Sequence, residues 1–162
     1  MPGKRALIVI SNGKSTRDNG YLARTEEQLH RAGVETEVFD GIMPNPTVAN
    51  SVAGANAARA YNADFLVALG GGSVMDCSKA IALLATNEGD LWDYVAIGSG
   101  KGQPIQNRLL PIIAITTTAG TGSETDGCGV ITKEETNEKA FIMHPSLFPA
   151  LAIVDPELML SV

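Results

Sequence analysis

The segment from Leu66 to Asp76 constrains the fold of this chain most, because an apolar run breaks at three consecutive glycines and then continues as a helix-forming sequence. This order predicts a buried strand, a tight turn and the first turn of a helix. Glycine lacks the Cβ that would keep a phosphate group away from the main chain, and a helix start presents free N–H groups. The segment therefore predicts a phosphate-binding turn, with a tight turn that holds no ligand as the alternative.

Ser73 and Asp76 give this helix a predicted beginning. A serine at the N-cap with an acidic residue three positions later is typical of a capping box, in which each side chain accepts a hydrogen bond from the other's main chain. We therefore expect Ser73 to cap the helix and Asp76 to complete the box.

The composition indicates one ordinary globular domain over residues 1–162. The chain is 44% hydrophobic and 19% charged, which excludes a disordered protein. Its first residues lead directly into a predicted strand without the apolar stretch of a secretory signal, so we expect a cytoplasmic protein. The net charge of −6, with dispersed Lys and Arg, predicts neither a nucleic-acid partner nor a membrane partner.

The cysteines and histidines are few and lack the spacing of a metal site. Cys77 and Cys128 are expected to be reduced, partly buried apolar residues. His30 is expected at the surface or in packing, and His144 lies near a predicted hairpin end. The sequence thus predicts no catalytic metal and no catalytic residue of its own.

Strand-like and helix-like segments alternate along most of the chain, which predicts a parallel α/β sheet flanked by helices. The predicted strands are residues 6–10, 35–39, 65–69, 110–115 and 151–154, and the predicted helices are one that ends near Gly33, residues 47–61 and residues 73–85. A β-hairpin is predicted from residues 128–132 and 139–143. Gly33 suits a left-handed helix end, and Asn-Pro-Thr at 45–47 suits an extended entry followed by an N-cap.

The segments that follow these strands are small, hydroxylated or glycine-rich. They are residues 11–15, 40–46, 70–73 and 116–124. Ligands of open parallel sheets bind at the carboxyl ends of the strands, so these loops favour a ligand with phosphate and ribose oxygens. The threonine-rich loop alone could also be a flexible connection. Asp40 is interpreted as a turn residue, with a ribose-binding acid as the alternative, because the first loop lacks G-x-G-x-x-G.

These residues resemble the nucleotide-binding half of the iron-containing (type III) alcohol dehydrogenases. The resemblance covers essentially the whole chain and rests on four segments in the family's order: Phe-Asp-Gly-Ile-Met-Pro-Asn-Pro-Thr at 39–47, Ala-Leu-Gly-Gly-Gly-Ser-Val-Met-Asp-Cys-Ser-Lys-Ala-Ile-Ala at 68–82, Thr-Thr-Thr-Ala-Gly-Thr-Gly-Ser-Glu at 116–124 and Ala-Ile-Val-Asp-Pro-Glu-Leu at 152–158.

The resemblance implies a Rossmann-like domain that binds NAD or NADP. It places Gly70, Gly71, Gly72 and Ser73 at the pyrophosphate, with Thr117, Thr118 and Thr121 along the cofactor, Asn45 near the adenosine and Lys139 near the ribose at the nicotinamide end. Asp76 would lie either at the cofactor or in its capping role. The position at which family members with an NAD preference carry an acid is here Ser11, Asn12 and Gly13; without a carboxylate to repel a 2′-phosphate, this favours NADP.

The family's second, all-helical domain has no counterpart in these 162 residues. In the family that domain supplies an Asp and three His to a divalent iron, and the alcohol or aldehyde lies between the two halves. The short β-hairpin that usually precedes the first strand also has no counterpart. We therefore expect an excised or truncated cofactor domain that is inactive alone and self-associates through exposed apolar surface. The alternatives are a free-standing nucleotide-binding module, or a relative of the glycerol dehydrogenases or dehydroquinate synthases.

Overall fold

A computed structural model describes residues 2–160 and contains a five-stranded parallel sheet. The strands of the sheet are β1 (Arg5–Ser11), β2 (Glu35–Ile42), β3 (Phe65–Gly70), β4 (Ile112–Thr116) and β7 (Leu151–Val154), in the spatial order β2-β1-β3-β4-β7. A separate antiparallel hairpin pairs β5 (Cys128–Lys133) with β6 (Glu138–Met143). The predicted Rossmann-like α/β class and the predicted hairpin are thus confirmed.

Among the described residues, four helices flank the sheet. They are α1 (Ser15–Asp18), α2 (Tyr21–Arg31), α3 (Val48–Tyr61) and α4 (Gly72–Thr86), and short 3-10 turns follow at Leu91–Tyr94, Ser123–Thr125, Pro145–Leu147 and Pro156–Met159. Between residues 2 and 160, no helix is long and apolar enough to cross a membrane.

Alternation along β1, an inner strand, divides the core between the two faces of the sheet. Leu7 and Val9 pack with α3 and α4 on one face, whereas Ile8 and Ile10 pack with Leu22 and its neighbours on the other. Successive side chains of a strand point to opposite faces, so a central strand that is covered on both sides has no polar positions. All six residues of β3 are accordingly buried.

Local sequence signals fix the ends of two helices as predicted. The Thr47 hydroxyl accepts a hydrogen bond from the Asn50 main-chain N–H at 3.2 Å, and the Asn50 side chain accepts one from Thr47 N–H at 3.3 Å. This reciprocal box satisfies two donors at the start of α3. Gly33 has φ +74°, the left-handed conformation expected just after α2.

The first helical region differs from the prediction because it is two helices. Gly20 has φ +73° and separates α1 from α2, and glycine adopts this left-handed conformation at little cost.

Asp40 lies within β2, so its interpretation as a turn residue was wrong. The pairing register between β1 and β2 shifts between Val9 and Ser11, so that Ser11 pairs with Ile42. This pairing extends β2 three residues beyond the predicted end. The Asp40 carboxylate is 2.7 Å from the Arg17 guanidinium.

The start of α4 also differs from the prediction. Gly71 is the N-cap, because its carbonyl accepts hydrogen bonds from Val74 N–H at 3.0 Å and Met75 N–H at 3.1 Å. Ser73 is therefore already inside the first turn, and no side chain caps this helix. The predicted capping box of Ser73 with Asp76 was wrong.

Candidate functional site

The strand order places a crevice between β1 and β3. From β1 the chain passes to β2 on one side, and β3 is then added on the other side of β1. In a doubly wound sheet the helices that follow two such strands lie on opposite faces, which opens a gap at the carboxyl ends of the strands. The loop after β1 and the glycine turn at the end of β3, which consists of residues 70–72, border this gap.

A pocket of about 330 Å³ occupies the crevice. Its lining residues are Ser11, Asn12, Gly13, Met43, Pro44, Gly71, Gly72, Ser73, Val74 and Thr118. The structure thus brings together seven of the predicted site residues from three separate loops, and Met43 and Pro44 join them although the sequence analysis did not single them out. This lining contains no charged side chain.

The glycine turn is closely approached by the threonine loop, defined here as residues 117–122. A Cβ on Gly71 would lie 3.0 Å from the Thr118 hydroxyl, and a Cβ on Gly72 would lie 2.8 Å from the Thr121 methyl group. A methyl group at either position would displace a threonine. Packing against the threonine loop therefore favours glycine at both positions.

The beginning of α4 directs main-chain donors toward the pocket. Val74 and Met75 make the first hydrogen bonds to Gly71, so helix geometry leaves the N–H groups of Gly72 and Ser73 ahead of the hydrogen-bonded turns. The positive end of the helix dipole adds to these donors. A pyrophosphate fits such an arrangement because it carries negative charge and many acceptor oxygens.

The threonine loop is held at its first residue by the neighbouring strand exit. Thr117 N–H donates to the Gly70 carbonyl at 3.0 Å, and the Thr116 hydroxyl donates to the Thr118 carbonyl at 3.0 Å. The loop is therefore fixed beside the glycine turn.

Asn45 and Lys139 come together although 94 residues separate them in the sequence. The Lys139 ammonium donates to the Asn45 side-chain oxygen at 2.9 Å, and Asn45 has φ +55°. Both side chains are exposed. The hairpin is held near this point because Thr132 N–H donates to the Pro46 carbonyl at 2.9 Å.

Asp76 faces away from the pocket lining and binds the segment that follows the threonine loop. Its carboxylate accepts from the Ser123 hydroxyl at 2.7 Å and from Val130 N–H at 3.1 Å. Burial raises the pKa of the Asp76 carboxyl above its usual value, and the hydrogen bond from Ser123 opposes this rise.

Lys79 is fully buried and was missed by the sequence analysis. Its ammonium lies 2.6 Å from an Asp126 carboxylate oxygen and donates to Ser123 and Cys128 as well. A lysine inside an otherwise apolar helical stretch, three residues after an aspartate, was the available signal.

The cysteines are both free, and Cys77 is more deeply buried than expected. Burial raises the pKa of the Cys77 thiol to about 12, which disfavours the reactive thiolate. His30 is exposed and hydrogen-bonds the Thr36 hydroxyl, while a His144 ring nitrogen accepts from Ser146 N–H. Within the described part of the chain, no group of three or more His, Cys, Asp or Glu residues is arranged to hold a metal.

Comparison with known proteins gives one consistent family. The family model of the iron-containing alcohol dehydrogenases matches residues 1–156. A 1,3-propanediol dehydrogenase of Klebsiella pneumoniae is 40% identical over 159 residues, which cover 98% of this chain and 40% of that protein. A probable NADH-dependent butanol dehydrogenase of Bacillus subtilis is 42% identical over 154 residues, which cover 95% of this chain and 38% of that protein.

Solved structures agree with the sequence relatives. Sulfoacetaldehyde reductase from Bifidobacterium kashiwanohense, in complex with NAD⁺, has a TM-score of 0.83 and 38% identity, covering 98% of this chain and 40% of that one. An archaeal alcohol dehydrogenase from a Red Sea brine pool has a TM-score of 0.92 and 36% identity, covering 97% and 40%. The chain therefore spans about 40% of the length of the relatives that it matches.

Proposed function

The chain belongs to the iron-containing alcohol dehydrogenase family, and we propose that it binds NAD(P) as the coenzyme half of an enzyme that transfers hydride between the coenzyme and an alcohol or aldehyde. The observation that carries this proposal is the pocket at the β1/β3 crevice, in which the loop after β1 faces the glycine turn and the start of α4. We further propose that the chain self-associates through exposed apolar surface.

The proposed roles of the residues follow from their donors and positions. The glycine turn and Ser73 bind the pyrophosphate through main-chain N–H groups, and Thr118 lines the same pocket. Thr117 and Thr121 flank it, while Asn45 and Lys139 offer an amide and an ammonium group to the sugars. When bound, the nicotinamide supplies the hydride acceptor or donor, and these residues orient it.

The described residues do not fit a metal, and we propose no step through one on this chain. The resemblance to the family implies that the iron ligands lie on the second, helical domain. We therefore propose that these 162 residues bind coenzyme but do not turn over alcohol alone.

We propose a preference for NADP over NAD on electrostatic grounds. The pocket lining contains Asn12 and no carboxylate. A carboxylate would repel the 2′-phosphate that distinguishes NADP, and without one that repulsion does not arise.

Titration with NADPH and with NADH, followed by nicotinamide fluorescence, tests the proposal. We expect saturable binding of both, tighter for NADPH. Gly72→Ala should raise the dissociation constant at least about tenfold, or about 1.4 kcal/mol, because its Cβ crowds the turn that receives the pyrophosphate. Absence of binding by the unaltered chain at millimolar coenzyme would contradict the proposal.

Two control variants separate loss of the site from loss of stability. Gly33→Ala introduces backbone strain at φ +74° outside the pocket lining, so it should lower the unfolding temperature and leave the dissociation constant unchanged. Gly72→Ala combined with Thr121→Ser removes the methyl group that lies 2.8 Å from the new Cβ. The hydroxyl oxygen and Cβ of residue 121 still lie 3.2 and 3.3 Å from the new Cβ, so that double variant should recover part of the stability, while coenzyme affinity stays low because the Cβ remains at the turn.

A further inference from the structure

We infer that Lys79 is a positioning residue for the coenzyme site, which holds the threonine loop against the glycine turn before the coenzyme arrives. This inference rests on the proposed function. Lys79 does not line the pocket, and its effect is exerted through Ser123 and Asp126.

The contacts of the Lys79 ammonium all go to the segment just after the threonine loop. The acceptors are the Ser123 carbonyl at 2.8 Å, the Ser123 hydroxyl at 2.9 Å, an Asp126 carboxylate oxygen at 2.6 Å and the Cys128 carbonyl at 2.6 Å. The lysine is 0% exposed, so each N–H depends on these protein acceptors. Loss of the ammonium leaves this segment without its shared donor.

A short path of contacts connects Lys79 with the glycine turn. Ser123 N–H donates to the Thr121 hydroxyl at 3.3 Å, and the Thr121 methyl group is the atom that a Cβ on Gly72 would meet. Placement of Ser123 by Lys79 thus also places Thr121 over the turn.

The helix that carries Lys79 also carries the other half of the site. Asp76 precedes Lys79 by three residues and accepts from the same Ser123 hydroxyl at 2.7 Å. Gly72 and Ser73 form the first turn of this helix. One rigid helix therefore fixes both the glycine turn and the loop opposite it, so their relative position depends on the lysine contacts.

A purely structural role for Lys79 explains the cluster less well. Replacement of a buried charge by an apolar residue of similar volume together with its partner is often neutral or stabilising, because burial of charge costs solvation; here Lys79 is buried and Asp126 is half-exposed. Residues 120–122 of the threonine loop are not buried, so apolar packing holds this loop only weakly. The Lys79 ammonium instead donates hydrogen bonds to the segment that directly follows the loop. The directional hydrogen bonds specify loop position, which apolar packing would not.

Hydrogen exchange of the chain without coenzyme tests the inference directly. In Lys79→Met, the amides of Thr117, Ser123, Thr125 and Cys128, which are hydrogen-bonded in this region, should exchange at least about tenfold faster, while the amides of β1 and β3 keep their rates. Unchanged rates at these four amides, or an equal loss of protection in β1 and β3, would overturn the inference.

Coenzyme titration supplies the second readout. Lys79→Met should raise the dissociation constant about tenfold, and Lys79→Met/Ser123→Ala should be no weaker than Lys79→Met alone, because both changes act on one path. Independent, multiplying losses would contradict the path. Leu29→Ala, a buried residue on the opposite face of the sheet, is the control that lowers stability without changing the dissociation constant.

Failure of the proposed function and failure of the inference about Lys79 give different results in these experiments. If the unaltered chain fails to bind coenzyme, the proposed function fails, and the exchange rates still decide the role of Lys79. If Lys79→Met does not fold, Asp126→Asn removes the charge partner from a half-exposed position and should release the same four amides.

Discussion

Asn12 is the residue at which the choice of coenzyme can be tested most directly. It lies just beyond β1 in the pocket lining, and its main-chain N–H donates to the Ile42 carbonyl at 2.9 Å. That hydrogen bond uses the main chain, so a substitution changes the side chain without loosening the loop. A change to aspartate alters one atom group and adds one charge.

Asn12→Asp should shift the preference toward NADH. The new carboxylate repels the 2′-phosphate of NADPH, so the ratio of the NADPH to the NADH dissociation constant should rise about tenfold, or about 1.4 kcal/mol. Fluorescence titration with both coenzymes measures this ratio. Asn62→Asp adds the same charge at the end of α3, outside the pocket lining, and should leave the ratio unchanged. An unchanged ratio in Asn12→Asp would argue against the assigned position of the 2′-phosphate.

Residues singled out from the sequence line the pocket, but the hydrogen-bonded cluster around Lys79 was not predicted. The glycines and Ser73 stand next to each other in the chain, and the strand pattern places Ser11 and Thr118 at the same edge. The partners of Lys79 lie 44 to 49 residues away, so only the tertiary fold shows them. Asp76 was expected either at the cofactor or in a capping box, because both interpretations use only residues near it in the chain, whereas its partners Ser123 and Val130 are distant in sequence.

At the scale of elements, capping and turn residues predicted those ends of helices and strands that depend on neighbouring residues in the sequence. The bounds of β7 agree with the prediction, and Thr47 caps the start of α3 as its Asn-Pro-Thr entry indicated. The extension of β2 to Ile42 depends on pairing with Ser11 across the sheet, which no pattern in β2 alone reveals. Tertiary pairing decided that strand end.

The hairpin is tied to the long loop before β4 by Glu138. Its carboxylate accepts from Ser99 N–H at 2.9 Å, from the Ser99 hydroxyl and from the Thr136 hydroxyl at 2.7 Å. The Ser99 hydroxyl first, and then Thr136, lower the pKa of the Glu138 carboxyl from 4.5 to about 2. A folded-state pKa below the unfolded value stabilises the fold above about pH 4.5, and this contribution is lost as the pH falls toward 2.

Glu138→Gln should therefore lower the urea midpoint at neutral pH but not in strong acid. The difference between the two proteins should stay constant above about pH 5 and close between pH 4.5 and about 2, the range set by the two pKa values. Glu135→Gln, on the exposed turn of the same hairpin, controls for the loss of one negative charge. A difference that persisted at pH 2 would show that the carboxylate charge is not the cause.

At the scale of the whole molecule, the two faces of the sheet are covered unequally. Helices α3 and α4 pack on one face, whereas on the other face α2 leaves an apolar groove beside β4 and β7. The apolar residues of this groove include Leu29, Val67, Leu69, Ile113, Ile115, Leu151, Ile153 and Leu158. Among the described residues, β7 pairs with β4 on one side only, and Leu151 and Ile153 are 51% and 40% exposed. An unpaired apolar strand edge favours association with a second copy of the chain.

Self-association through this edge should respond to charge at one position. Light scattering should give an apparent mass that rises with protein concentration for the unaltered chain, and Ile153→Lys should hold it at the monomer value, because a lysine would have to be buried in the contact. Val52→Lys is the matched control, since Val52 is also 40% exposed but lies on α3, away from the groove. A monomeric mass at every concentration would contradict the prediction, and equal effects of both lysines would indicate that net charge rather than the β7 edge governs association.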